Sequence, residues 1–157
     1  MLCLDGANQF DPLLIARLAR QRGREPAEFN QQIRVGRAFT CFQLTELLAR
    51  VPRFLQGSSA NVLMVTGLPD LYFDEDVRER EATASFTEVL ESLRALRSSS
   101  LAVGIFANAS LLQTPRRLLF QRVIAQADQV WRFTEQEGGR LALLAEKVPL
   151  PQGRTLH

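Results

Sequence analysis

The residues able to do chemistry are few in this chain, and their types exclude most familiar sites. The only histidine is the last residue, His157, and the two cysteines, Cys3 and Cys41, lie far apart in sequence. No Cys or His pair has metal-ligand spacing, so zinc sites lack their ligands, and Ser-His or Cys-His catalysis lacks its base. Of the 19 basic residues, Lys147 is the single lysine. No Gly-x-x-x-x-Gly-Lys-Ser/Thr loop is present to curl amides and a lysine around phosphates. What remains is Asp5 at a strand end, the acidic run Asp74-Glu75-Asp76, and the adjacent pair Arg116 and Arg117. Arginine forks suit phosphate, so that pair is the candidate phosphate or DNA contact. The alternative is a solvated first turn of a helix whose apolar face is Leu119, Phe120, Val123 and Ile124.

These residues need elements to hold them. With 157 residues, 46% hydrophobic and 23% charged, the chain has the make-up of one ordinary globular domain. Its net charge of +2 is too small to argue nucleic-acid binding alone. Leu101 to Leu112 is too short to span a bilayer, and Met1 to Asp5 lacks the basic start of a signal peptide. Two buried, reduced cysteines fit a cytoplasmic protein without membrane partners.

Strands and helices alternate along the chain. Leu2 to Asp5 reads as a strand, and Asp11-Pro12 as a helix start whose helix ends at Gly23. Ile33 to Ala38 is β-like, and Phe42 to Gln56 carries an apolar helical stripe. Asn61 to Thr66 and Leu101 to Ala107 are continuous apolar runs, as expected of strands buried on both faces. Between them, residues 67–77 are a loop with an acidic end, and Phe86, Val89, Leu90, Leu93 and Leu96 mark a long helix. Thr114-Pro115 opens another helix. Val130 to Phe133 and Leu141 to Ala145 form a hairpin across Gly138-Gly139. Strands separated by helices predict an α/β fold with a mainly parallel sheet, ending in an antiparallel hairpin. Pro149 to His157 has turn and loop chemistry.

The wording of these elements resembles the RecA/RadA family of recombinase ATPases. Leu4-Asp5-Gly6-Ala7-Asn8-Gln9-Phe10-Asp11-Pro12 has the shape of that family's strand and following helix start. Arg37-Ala38-Phe39 before Gln43 to Leu48, Val62 to Val65 leading to Leu71-Tyr72, and the hairpin from Val130 to Pro151 follow in the family's order. The resemblance implies one truncated RecA-like domain over 1–157 that lacks the P-loop strand. It also implies that Ala7 stands at the catalytic Glu position and Thr66 at the Walker B Asp position. Neither offers a carboxylate to a triphosphate and its metal. The expected protein is therefore not an enzyme and holds no cofactor. It is a binding or assembly subunit in DNA recombination or repair, with DNA contact weak at best because Asp74-Glu75-Asp76 lies where phosphate would pass. Two other readings stand beside it: half of an ATPase site completed by a P-loop-bearing partner, or a degenerate RecA-like scaffold outside DNA metabolism, as in elongator complexes.

Without the P-loop strand, the strand near Val103 has a free edge. Either the hairpin slides over so that Gln129 to Phe133 pairs with Ala102 to Ala107, or a second chain covers the edge. The expected interface is Val103, Ile105, Trp131 and Phe133, and the expected partner is a second copy or a RecA-like subunit. Trp131 and Phe133 alternate with Val130 and Arg132, so one pair faces a core and the other meets solvent or a partner.

Overall fold

A computed structural model describes residues 1–97, 99–108, 116–136 and 138–148. The chain divides into two compact units, residues 1–108 and 109–157.

The first unit is built on four parallel strands: β1 (Leu2–Asp5), β2 (Arg34–Arg37), β3 (Val62–Thr66) and β4 (Ala102–Phe106), in the order β2-β1-β3-β4. Helices α1 (Pro12–Gln21) and α2 (Pro26–Gln31) connect β1 to β2. Helices α3 (Cys41–Ala49) and α4 (Val51–Leu55) lead to β3, and α5 (Glu79–Leu96) leads to β4. The expected α/β class and parallel sheet are therefore present. Asp11 caps α1 as its sequence indicates, its side chain accepting from the Leu13 N–H at 2.8 Å, with Pro12 following.

The register explains the core. Leu2 pairs with Leu63 and Leu4 with Val65, so all four project from one face, and all are buried. The helices that meet this face are α3 and α5. Leu47 of α3 lies against Gly36 of β2, where a Cβ would meet it at 3.4 Å. The buried stripes Leu44, Leu48 on α3 and Ala82, Phe86, Val89, Leu90, Leu93 on α5 recur at helical spacing and close the core. Tyr72 lies edge-on to Phe86, ring centres 5.0 Å apart, and seals one end.

Four expectations are corrected. The helix read over Phe42 to Gln56 is two helices, because Pro52 has no N–H to continue the ladder and instead starts α4. Helix α2 was not anticipated, although Glu25-Pro26 is itself a start signal. β3 is buried on one face only, with Val62, Met64 and Thr66 half-buried on the other. β4 is not a buried strand: Val103 is 39% and Phe106 is 49% exposed. An apolar run reads alike in the middle of a sheet and at its edge, and β4 is the edge.

The second unit holds α6 (Arg117–Gln126) and a hairpin of β5 (Val130–Gln136) and β6 (Arg140–Lys147). Its turn passes through Gly138 and Gly139, both at positive φ. Among the described residues the strands pair only with each other, Phe133 opposite Leu143 and Trp131 opposite Ala145. The expected pairing of Gln129 to Phe133 with Ala102 to Ala107 is therefore corrected: among the described residues the hairpin and the four-stranded sheet are separate sheets. The Thr114-Pro115 helix start and the Pro149 to His157 tail lie outside the described residues.

Candidate functional site

In an open parallel sheet, ligands collect at the carboxyl ends of strands where the strand order reverses. Here the chain runs from β1 outward to β2, then crosses back to β3 on the other side. The reversal falls between the ends of β1 and β3, at Asp5 and Thr66.

Both residues are fully engaged. Asp5, 1% exposed, accepts from the Phe10 N–H at 2.8 Å, the Gln9 N–H at 3.1 Å and the Thr66 hydroxyl at 2.9 Å. The Arg37 Nε lies 3.9 Å away. Burial alone pushes the carboxyl upward. The amides of Phe10 and Gln9, the Thr66 hydroxyl and the Arg37 charge outweigh it and hold Asp5 below the usual carboxylate range. Asp5 thus acts as the cap of the loop that follows β1. Arg37 ties that loop down further, donating to Asn8 Oδ1 at 3.0 Å and to the Phe10 carbonyl at 3.2 Å.

Thr66 spends its hydroxyl in the same plug. While donating to Asp5, it accepts from the Ala7 N–H at 3.2 Å. The two positions at which the resemblance expects the catalytic Glu and the metal-holding Asp are therefore bonded to each other. The crevice itself is filled with main chain. The Gly6 N–H donates to the Thr66 carbonyl at 3.1 Å, and a Cβ on Gly67 would sit 2.5 Å from the Gly6 carbonyl carbon. Gly67 also takes φ +74, so only glycine suits that position.

One carboxylate at this edge was missed from the sequence. Asp70 follows the cis Leu68-Pro69 bond and begins a short 3-10 turn, Asp70–Phe73. Burial raises its pKa, with the Asn108 N–H donating against that shift, and its Oδ1 is buried without a partner among the described residues. The only sequence signal is an acid directly after Leu-Pro, which reads as an ordinary loop.

The other candidates are dispersed. Arg116 is the N-cap residue of α6 and is half-buried, and Arg117 is the first helical residue and is exposed. Asp74 turns back on its own loop, accepting from the Asp76 N–H at 3.0 Å. Val103 and Ile105 share one face of β4. Trp131 and Phe133 share one hairpin face with Leu141 and Leu143, all exposed, Leu141 at 75%. The opposite hairpin face carries the Arg132–Glu146 ion pair. Residues 109–115, just before Arg116 and Arg117, lie outside the described residues. Among the described residues no three His, Cys, Asp or Glu side chains converge as a metal site, and no helix is long and apolar enough to cross a membrane.

Between α3 and α5 runs an open groove of about 300 Å³, lined by Phe42, Thr45, Glu46, Glu81, Ala84 and Glu88 with Ser85 at its floor. Beneath it is a buried hydroxyl cluster. Thr45 Oγ1 lies 2.6 Å from both Tyr72 Oη and Ser85 Oγ, and 2.9 Å from the Cys41 carbonyl that it donates to.

The chain matches no model of a known protein family and no curated protein.

Proposed function

We propose that this protein is a non-catalytic, RecA/RadA-like subunit that works by binding or assembly in DNA recombination or repair. The observation that carries the non-catalytic part is the bond between Ala7 and Thr66 over a fully committed Asp5. A hydroxyl and an amide occupy the ground where phosphoryl transfer needs carboxylates for water and Mg²⁺, and main chain fills the crevice. The pathway rests on the resemblance in motif order. The assembly role rests on the uncovered Val103 and Phe106 on β4 and the apolar hairpin face around Trp131 and Phe133, since exposed apolar patches of this kind mark interfaces. The partner is a second copy or a RecA-like chain, and DNA contact, centred on Arg116 and Arg117, is weak and salt-sensitive.

Titration calorimetry with Mg-ATP, together with a phosphate-release assay, tests the reading. No heat of tight binding and no turnover are expected; micromolar affinity with measurable turnover overturns it. For the DNA arm, Arg116→Ala with Arg117→Ala should flatten the salt dependence of any binding by about one unit per lost phosphate contact. An unchanged slope removes that site.

A further inference from the structure

Helix α1 presents an outer face with no partner in its own unit. Its packed side is small, Ala16 and Ala19. Leu14 and Leu18 point away from that side and are exposed, and Leu13 beside them is 78% exposed. Arg17 and Arg20 follow Leu13 at helical spacing and share its side of the helix, Arg20 also bordering a cleft with Arg24, Glu25 and Glu28, and Arg22 and Arg24 come next, all exposed. The neighbouring α2 end offers only Glu25 and Glu28 against these four arginines. Leucines beside arginines on a convex helix require a concave apolar surface with acidic walls.

The same chain carries such a surface. In the α3–α5 groove, exposed Phe42 and Ala84 supply the apolar part, and Glu46, Glu81 and Glu88 the walls. Glu46 is already paired with Arg50, and Glu81 lies 4.0 Å from Arg78, so among the described residues the wall carboxylate without an ion pair is Glu88. Phe42 and Glu46 lie one turn apart on α3, as do Glu81, Ala84 and Glu88 in succession on α5, so each helix turns one wall inward. The small Ala84 and Ser85 leave the space between the walls open.

These two surfaces cannot meet within one chain. The connection from β1 to β2 runs one way across the sheet, and those from β2 to β3 and from β3 to β4 run the other way. Right-handed crossovers then place α1 on the face opposite α3 and α5. We propose that the outer face of α1 docks in the α3–α5 groove of a second copy of this chain. Leu13 and Leu14 lie toward Phe42 and Ala84, and Arg17 and Arg20, on the same arc of the helix, toward Glu81 and Glu88. The surface used by each copy differs from the surface it engages, so the contact is head-to-tail and leaves one free helix face and one free groove on every pair. This proposal is independent of the recombination reading and of the β4 edge.

Sedimentation velocity of the full chain over a concentration series tests it. The wild type should self-associate reversibly, and more weakly as salt rises. Arg17→Glu with Arg20→Glu should weaken association by about tenfold or more, and Glu81→Arg with Glu88→Arg should do the same. All four positions are exposed, and circular dichroism checks that both variants stay folded. Mixing the two variants restores opposite charge at each contact, so the mixture should associate where neither variant does alone. A wild type that stays monomeric, variants that associate as the wild type does, or a mixture no more associated than its components each overturns the proposal.

Discussion

Thr45 sits at the centre of the buried cluster, its one hydroxyl bonded to three neighbours. It donates to the Cys41 carbonyl and shares hydrogen bonds with the hydroxyls of Tyr72 and Ser85, while Tyr72 also donates to the Cys41 carbonyl at 3.0 Å. Thr45→Val keeps the shape but removes the hydroxyl that Ser85 bonds, while Tyr72 retains the Cys41 carbonyl. A loss of about 2 kcal/mol is expected in urea unfolding, whereas Ser85→Ala should cost about 1 kcal/mol because it removes only one end of the network. Asp5 and Asp70 give the molecule opposed pH responses. Asp5 sits below its unfolded value, so its stabilisation is complete above the ordinary carboxylate range and is lost as pH falls through the lowered folded value. Asp5→Asn should therefore destabilise most at neutral pH, by about 2 kcal/mol, with the gap to wild type closing in acid. Asp70 sits above its unfolded value, so stability present below the ordinary range is lost as pH rises through the raised folded value. Asp70→Asn should abolish that loss, seen as a flatter pH dependence of the unfolding midpoint.

At the scale of elements, α6 and β6 are tied by the only lysine. Lys147 Nζ donates to the carbonyls of Ala127 at 2.5 Å and Ala125 at 3.3 Å, at the end of α6, where carbonyls lack helical partners and the helix dipole favours a cation. Lys147→Met should speed amide exchange in the last turn of α6 while leaving the α5 amides unchanged. Elements with strong local signals were legible in the sequence: β1, the Asp11-Pro12 start of α1, the stripe of α5 and the Gly138-Gly139 hairpin. Pro52 and Glu25-Pro26 were legible too, but an apolar stripe running across Pro52 outweighed the break. The burial of β4 was not legible, because an apolar run does not record how many neighbours its strand has. Of the candidate site, the place of Asp5 at a strand end was legible, since the apolar run before it marks β1. The Ala7–Thr66 bond, the Gly6–Gly67 approach and Asp70 depend on chain segments distant in sequence, which no local pattern encodes.

At the scale of the molecule, buried mass is uneven. The largest fully buried side chains, Tyr72, Phe86, Leu44, Leu48, Leu63 and Leu68 among them, all lie in residues 1–108. Among the described residues of the second unit, Leu119 is the single buried hydrophobic. The only tryptophan, Trp131, belongs to that second unit and is half exposed. Denaturant unfolding followed by Trp131 fluorescence should precede the transition followed by far-ultraviolet dichroism, which is dominated by the helices of the first unit. Coincident curves would show one cooperative block.

The placement of β1 at the centre of its sheet has a temporal meaning. Leu2 is flanked by Arg34 on one side and Leu63 on the other, so this central strand is made before either of its neighbours. Until Arg37 emerges, Leu2, Cys3 and Leu4 are an apolar segment with both edges open, and one edge stays open until Thr66 follows, the kind of strand that recruits chaperones or pairs with the wrong chain. The sheet closes only through long-range contacts, which puts refolding in the millisecond-to-second class of non-local topologies.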